Sequence, residues 1–227
     1  MKLKKLIRSF HFASEGIVYA INTQRNMKIH ISIALFILLL GMYLHFNQLE
    51  VLITFFCIAL VISAEIFNTA IEKTVDMLTK EYNHSAKIAK DSAAGAVLFT
   101  VLIVILIGVV LILPYLQVLF SGDWIKPPAQ PLAFYSLQAL FLLLTTYILK
   151  AYWYRKNIDR QPDIIIGIFF YLISLLSLYN SEIRFILVSI LLLFLIVLFY
   201  KRYSWLVIIQ NGIISIGGVY LLHLAFY

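Results

Sequence analysis

A chain of 227 residues that is 63% hydrophobic and only 13% charged, with a mean hydropathy of +0.95, has too little polar surface to clothe a soluble globule. Its formal net charge of +7 comes with no aromatic-and-basic groove and no Gly-rich phosphate loop of the Walker or dinucleotide type, which argues against nucleic acid as a partner and against the common soluble nucleotide folds. The one cysteine, Cys57, leaves no disulfide framework within the chain and reads as a small packing residue.

In chain order, the first element is MKLKKLIRSFHFASEGIVYAI. Leu3, Leu6, Ile7, Phe10, Ala13, Ile17 and Ala20 recur at helical spacing, while Lys2, Lys4, Lys5 and Arg8 supply charge. This is the pattern of an amphipathic helix lying on an anionic leaflet, with a buried amphipathic helix as the alternative. The segment lacks the continuous apolar core and small-residue cleavage site of a signal peptide and is expected to stay attached.

Seven apolar runs follow, each judged against the roughly 17 to 25 residues that cross about 30 Å of hydrocarbon. They are Ile31 to Phe46, a run starting at Val51, Ala93 to about Pro114, Leu132 to Leu149, Ile164 to Tyr179, Ile183 to Tyr200, and Trp205 to Tyr227. The stretch SGDWIKPPAQP interrupts the pattern with three prolines and a glycine. The expected domains are therefore residues 1–115, a linker at 116–131, and a four-span region at 132–227.

Alternating the spans from a cytoplasmic N-terminus leaves only Lys126 and Arg184 of the 18 Lys and Arg residues outside. Shifting the count by one helix destroys that asymmetry for everything downstream, so the positive-inside rule fixes the expected orientation. Trp124, Trp153 and Trp205 fall at span edges as interfacial belt residues, and His30 and His45 mark the two ends of the first span.

The second span does not stay apolar. It runs into AEIFNTAIEKTVD, where Glu65, Asn68, Glu72 and Asp76 are separated by three, four and four residues. At 100° per residue they fall within about 80° of arc, on one helix face. An ionised carboxylate near mid-bilayer costs several kcal/mol unless partnered, so Glu65 needs a cation, a shared proton or a wet pocket. The next segment, HSAKIAKDSAAGAVL, brings Lys87, Lys90 and Asp91 to the mouth of the third span, followed by small residues that admit a close helix neighbour. Carboxylates with a lysine suit phosphoryl transfer: oxygen ligands for a divalent cation, a positive charge for phosphate, and a base for a hydroxyl. Interhelical salt bridges are the alternative reading of the same inventory.

AEIFNTAIEKTVD, the EY at 81–82, AKIAKDSAAGAVL at 86–98 and NMKIHI at 26–31 together resemble the prokaryotic diacylglycerol kinase family, whose Gram-positive members act as undecaprenol kinases. The resemblance covers roughly residues 1–115. It implies an all-α integral-membrane enzyme with an N-terminal surface helix and a three-span bundle, working as a homotrimer on a membrane lipid alcohol with ATP and Mg2+. Carried over by position, it makes Glu65 the base for the lipid hydroxyl and Glu72 a metal ligand. Lys90 and Asp91 would hold the nucleotide, with Glu81 and Tyr82 beside them, while Asn68 and Asp76 support the site. The expected lipid is undecaprenol, with diacylglycerol second. A non-catalytic membrane partner is the alternative from another class.

Two positions depart from the family pattern. Gln24 stands where a second metal-binding glutamate is usual, and an amide brings a carbonyl oxygen without the charge. Asn83 stands where E-Y is usually followed by histidine. The rear half resembles, by position and length, a lipid phosphatase module fused to such kinases in some bacteria. Its residues do not carry that activity: QPLAF at 130–134 occupies the place of a P-S-G-H motif, and KRYSWLVIIQNG at 201–212 holds no nucleophilic histidine. His223 reads as interfacial, and Gly212, Gly217 and Gly218 as sites of close helix packing.

Overall fold

The computed structural model describes residues 2–121, 131–156, 171 and 205–226. The expected spans at 164–179 and 183–200, apart from Tyr171, lie outside the described residues, as do Trp124, Lys126 and Arg184. The described elements are all α-helices: α1 Lys2–Thr23, α2 Arg25–Tyr43, α3 Gln48–Leu78, α4 His84–Ser121, α5 Pro131–Arg155 and α6 Trp205–Phe226. Among the described residues, four stretches are long and apolar enough to cross a membrane, namely Arg25–Tyr43, Gln48–Leu78, His84–Gln117 and Leu132–Arg155. The chain is an integral membrane protein. It forms two compact units, one of Thr23–Ala133 and one joining Met1–Asn22 to Phe134–Tyr227.

In the first unit, α2 ends earlier than the apolar run suggests, because the backbone turns at His45, which has a left-handed φ of 54°. The Phe46 amide reaches back to the Gly41 carbonyl at 3.0 Å and the His45 amide to the Met42 carbonyl at 3.4 Å. This is a Schellman ending with histidine in the place glycine usually takes. Asn47 then caps α3 through a reciprocal box. Its side-chain oxygen accepts from the Glu50 amide at 3.0 Å, and its own amide donates to Glu50 Oε2 at 2.7 Å. The same Glu50 oxygen accepts the Tyr115 hydroxyl at 2.7 Å, and the Tyr115 ring lies 5.6 Å from that of Phe46. α4 therefore stays tied to the start of α3 beyond Pro114, which sits inside the helix.

At the other end of the unit, Thr79 to Asn83 connect α3 to α4. Asn83 Oδ1 accepts the amides of Ser85 and Ala86 at 2.9 and 3.2 Å and so caps α4. The asparagine that departs from the family pattern thus has a local structural role. An apolar cavity of about 440 Å³ lies between α2, α3 and α4, lined among others by Ala34, Cys57, Val61, Ile62, Val101 and Gly108.

In the second unit, Gln138 of α5 is fully buried and donates to the Val219 carbonyl of α6 at 2.7 Å. A Cβ added at Gly218 would come within 2.5 Å of the Leu142 side chain, whereas one at Gly217 would meet nothing within 4 Å. Gly218 is therefore the position where α6 approaches closely. Leu142, Tyr171 and Val219 form the buried cluster, and the Tyr171 hydroxyl donates to the Tyr135 carbonyl at 2.6 Å. α1 belongs to this unit: Val18, Ala20 and Ile21 are buried, while Phe10 and Phe12 stay exposed. Lys150 of α5, itself buried, donates to Ser14 Oγ of α1 at 2.9 Å.

Candidate active site

α3 has 31 residues, which at 1.5 Å per residue extend about 46 Å. Counting roughly 20 residues of hydrocarbon from Val51 brings the helix to the headgroup level near Ile71. Glu65 and Asn68 then lie inside that limit, Glu72 at it and Asp76 beyond. Burial follows the same gradient: Glu65 and Asn68 are buried, Glu72 is half-buried and Asp76 is exposed. The stripe expected from spacing is one face of one unbroken helix.

Glu65 is 1% exposed, and neither carboxyl oxygen has a hydrogen-bond partner among the described residues. A carboxyl group left without a partner is costly in an apolar setting. One turn along, the Thr69 hydroxyl donates to the Glu65 backbone carbonyl at 2.8 Å and leaves the carboxyl group untouched.

Two turns from Glu65, the Glu72 carboxylate is held from both sides. Gln24 Nε2 donates to Oε2 at 3.1 Å, and Asn68 Nδ2 donates to Oε1 at 3.1 Å. Gln24 is the single non-helical residue between α1 and α2, with φ −94° and ψ 124°, and its extended backbone aims the side chain at α3. Asn68 Oδ1 is buried without a hydrogen-bond partner. Two amide NH2 groups thus face one carboxylate, with nitrogens rather than oxygens turned to it. With both amides flipped the set would become hard and oxygen-only, and would then suit a magnesium ion that keeps several waters. No group of three His, Cys, Asp or Glu residues able to hold a metal occurs among the described residues, so any ion here relies on the amides.

Lys90 of α4 pairs with Asp76 of α3 at 2.5 Å, with side chains 39% and 53% exposed. Asp91 pairs with Lys87 one turn earlier on α4. The resemblance puts Lys90 and Asp91 at the nucleotide; in the structure each has its own oppositely charged neighbour. Both pairs face solvent, where screening keeps such contacts weak and exchangeable. Glu81 and Tyr82 are exposed in the α3–α4 connection. The structure therefore joins Gln24, Asn68 and Glu72 in one cluster and Asp76 with Lys90 in another, with Glu65 buried on the same face. The Tyr115–Glu50 tie was not legible in the sequence, since 65 residues separate its partners.

A buried carboxyl group and an amide-flanked carboxylate on one face of α3, with a lysine of α4 at its exposed end, make up the groups that phosphoryl transfer in a membrane requires. The model of the family "Prokaryotic diacylglycerol kinase" matches residues 11–112. Over 115 residues the chain is 38% identical to an undecaprenol kinase of Bacillus subtilis, an alignment spanning 51% of this chain and 94% of that protein. Over 110 residues it is 38% identical to a diacylglycerol kinase of Synechocystis sp., spanning 48% of this chain and 63% of that protein. No solved structure matches significantly. The chain belongs to the prokaryotic diacylglycerol kinase family: it is a lipid kinase, with ATP as the phosphate donor.

Proposed function

We propose that the protein transfers the γ-phosphoryl group of ATP to undecaprenol at the cytoplasmic leaflet, with Mg2+ as the cofactor, and that residues 1–115 carry the activity. The observation that supports this reading most is the partnerless, buried Glu65 carboxyl group on the same face as Glu72. A lipid hydroxyl arriving from the bilayer would give Glu65 the hydrogen bond it lacks, and Glu65 would take its proton as the phosphoryl group is transferred. The apolar cavity reaches Val61 and Ile62, one turn before Glu65, and offers the adjoining part of a lipid chain a place out of water. Water at the exposed end of the stripe then competes poorly as acceptor.

Glu72, Gln24 and Asn68 would hold the magnesium ion, which when bound offsets the charge of the ATP phosphates. Gln24 must turn its amide to present Oε1 in place of the Nε2 that now faces Glu72. Lys90 exchanges Asp76 for phosphate oxygens, a change between two charge-assisted contacts in an exposed setting. Asp91 steadies the nucleotide with Glu81 and Tyr82 beside it. The family's homotrimer would complete the site from a neighbouring subunit.

Undecaprenol is favoured because the similarity spans 94% of the undecaprenol kinase but 63% of the diacylglycerol kinase, at equal identity. The test is transfer of radiolabel from ATP to undecaprenol and to diacylglycerol in mixed micelles with magnesium. Preferential labelling of undecaprenol supports the reading. Labelling of diacylglycerol alone replaces the substrate, and labelling of neither lipid refutes it.

A further inference from the structure

We propose that the apolar cavity between α2, α3 and α4 is the tail site of the lipid substrate. One hydrocarbon chain lies along it with its hydroxyl at Glu65, and Gly108 leaves the room for that chain to pass, so the site takes a single-chain polyprenol in preference to a two-chain glyceride. This rests on the reading of Glu65 given above, and it lies wholly within the unit Thr23–Ala133.

The dimensions come from the helices. On α4 the lining runs from Val101 to Leu116, about 22 Å of helix at 1.5 Å per residue. Spread over that length, a volume of about 440 Å³ gives a mean cross-section of about 20 Å². Carbon groups in contact sit about 3.5–4.0 Å apart, so one chain needs a channel about 4–5 Å on a side and two chains need twice the section.

The direction comes from register. Gln24 meets Glu72 and Lys90 meets Asp76 at one end of the three antiparallel helices, while Tyr115 meets Glu50 at the other. Counting inward from these contacts sets His30 and Val101 level with Glu65, and Gly108 level with Cys57 and Ile58. His30 and Val101 both line the cavity, so one end of it lies at the depth of Glu65. Thr54, also in the lining, turns its hydroxyl to the Glu50 carbonyl at 2.8 Å and leaves its methyl to the cavity. An alcohol thus finds polar company at the His30 and Glu65 end, and the tail runs toward Phe46 and Leu116.

The bore is set midway. Val101, Val104, Gly108 and Leu111 line the cavity at spacings of three, four and three, as one face of α4. A Cβ added at Gly108 would meet nothing within 4 Å, so the space before it is the cavity itself. A larger side chain there narrows the passage about 10 Å from Glu65, the rise from Glu65 to Ile58. A zigzag carbon chain advances about 1.25 Å per bond and covers that distance in roughly eight carbons. Geraniol, with two isoprene units, ends at Gly108; undecaprenol passes it.

The experiment uses the full chain in mixed micelles. Gly108→Leu is expected to raise the KM for undecaprenol, relative to that for geraniol, at least tenfold over the parent. Its melting temperature should hold or rise, because a void is filled and a helical glycine removed. Val110 is 72% exposed and outside the lining, so Val110→Phe should leave the ratio within twofold. An unmoved ratio in folded Gly108→Leu, or an equal rise in Val110→Phe, overturns the tail site. A second readout needs neither variant nor turnover: a polyprenol with a diazirine on its third isoprene unit, photolysed with the parent. Adducts are expected within residues 54–61 and 104–112, suppressed at least threefold by excess undecaprenol and less than twofold by the same excess of a diacylglycerol. Adducts only elsewhere, as when a helix of a second copy fills the cavity, overturn the tail site, and equal suppression by diacylglycerol overturns its one-chain preference. Absence of prenol phosphorylation in the parent would instead strike the kinase reading, and the photolabel alone would then decide the tail site.

Discussion

Replacing Gln24 with glutamate probes the site at its most unusual position. The Gln24 amide now donates to the half-buried Glu72 carboxylate at 3.1 Å. A hydrogen bond to a charged group contributes about 1.5–3 kcal/mol, and Gln24→Glu removes it. The variant also sets two carboxylates face to face. At about 4 Å, like charges repel by roughly 4 kcal/mol at an effective dielectric of 20 and by roughly 1 kcal/mol in bulk water, and a half-buried pair lies between those limits. The magnesium-free variant should therefore lose roughly 2.5–7 kcal/mol locally and melt several degrees lower in detergent. A divalent cation between the carboxylates converts the repulsion into attraction. Relief of even 1.4 kcal/mol tightens binding tenfold, so the magnesium midpoint for lipid phosphorylation should fall by about tenfold or more, and saturating magnesium should restore the melting temperature. Thermal melts with and without magnesium, together with the magnesium dependence of turnover, measure both effects. A magnesium-free melt identical to that of the parent, with an unmoved midpoint, would show that residues 24 and 72 do not face each other.

Glu65→Gln should lower turnover by about 10²-fold or more through loss of the base, while the melting temperature holds or rises, because a partnerless buried carboxyl group is replaced by a neutral amide. Turnover equal to the parent would remove Glu65 from that role. Tyr115→Phe deletes the hydroxyl that reaches Glu50 and should cost about 1–2 kcal/mol, seen as a lower melting temperature with unchanged affinity for ATP. Asn83→Ala removes the α4 cap and should cost about 1 kcal/mol, whereas Asn83→Asp, which also caps, should be nearly neutral; equal losses in both would contradict the capping role.

Much of the candidate site was legible because helical periodicity is local. Four polar residues at spacings of three and four must share a face on any straight helix, and α3 is such a helix. The pairing of Asp76 with Lys90 was not legible, since it depends on how the end of α3 and the start of α4 are aligned across the Thr79 to Asn83 connection. The end of α2 was also misjudged from hydropathy. The apolar run continues to Phe46, but His45 takes a left-handed backbone and stops the helix at Tyr43.

Composition and spacing by themselves determined that this chain is a set of membrane-crossing helices and that one of them carries an acidic stripe, because transfer out of water and the helical repeat act on each segment separately. Which groups meet was decided only by the tertiary structure: Gln24 on Glu72, Tyr115 on Glu50, and Lys150 on Ser14. The physical reason is that lipid tails are as apolar as leucine, so hydrophobicity places helices in the bilayer but gives them little preference for one neighbour or rotation. Polar contacts and close packing supply that preference, and their partners lie 48 to 136 residues apart in the chain.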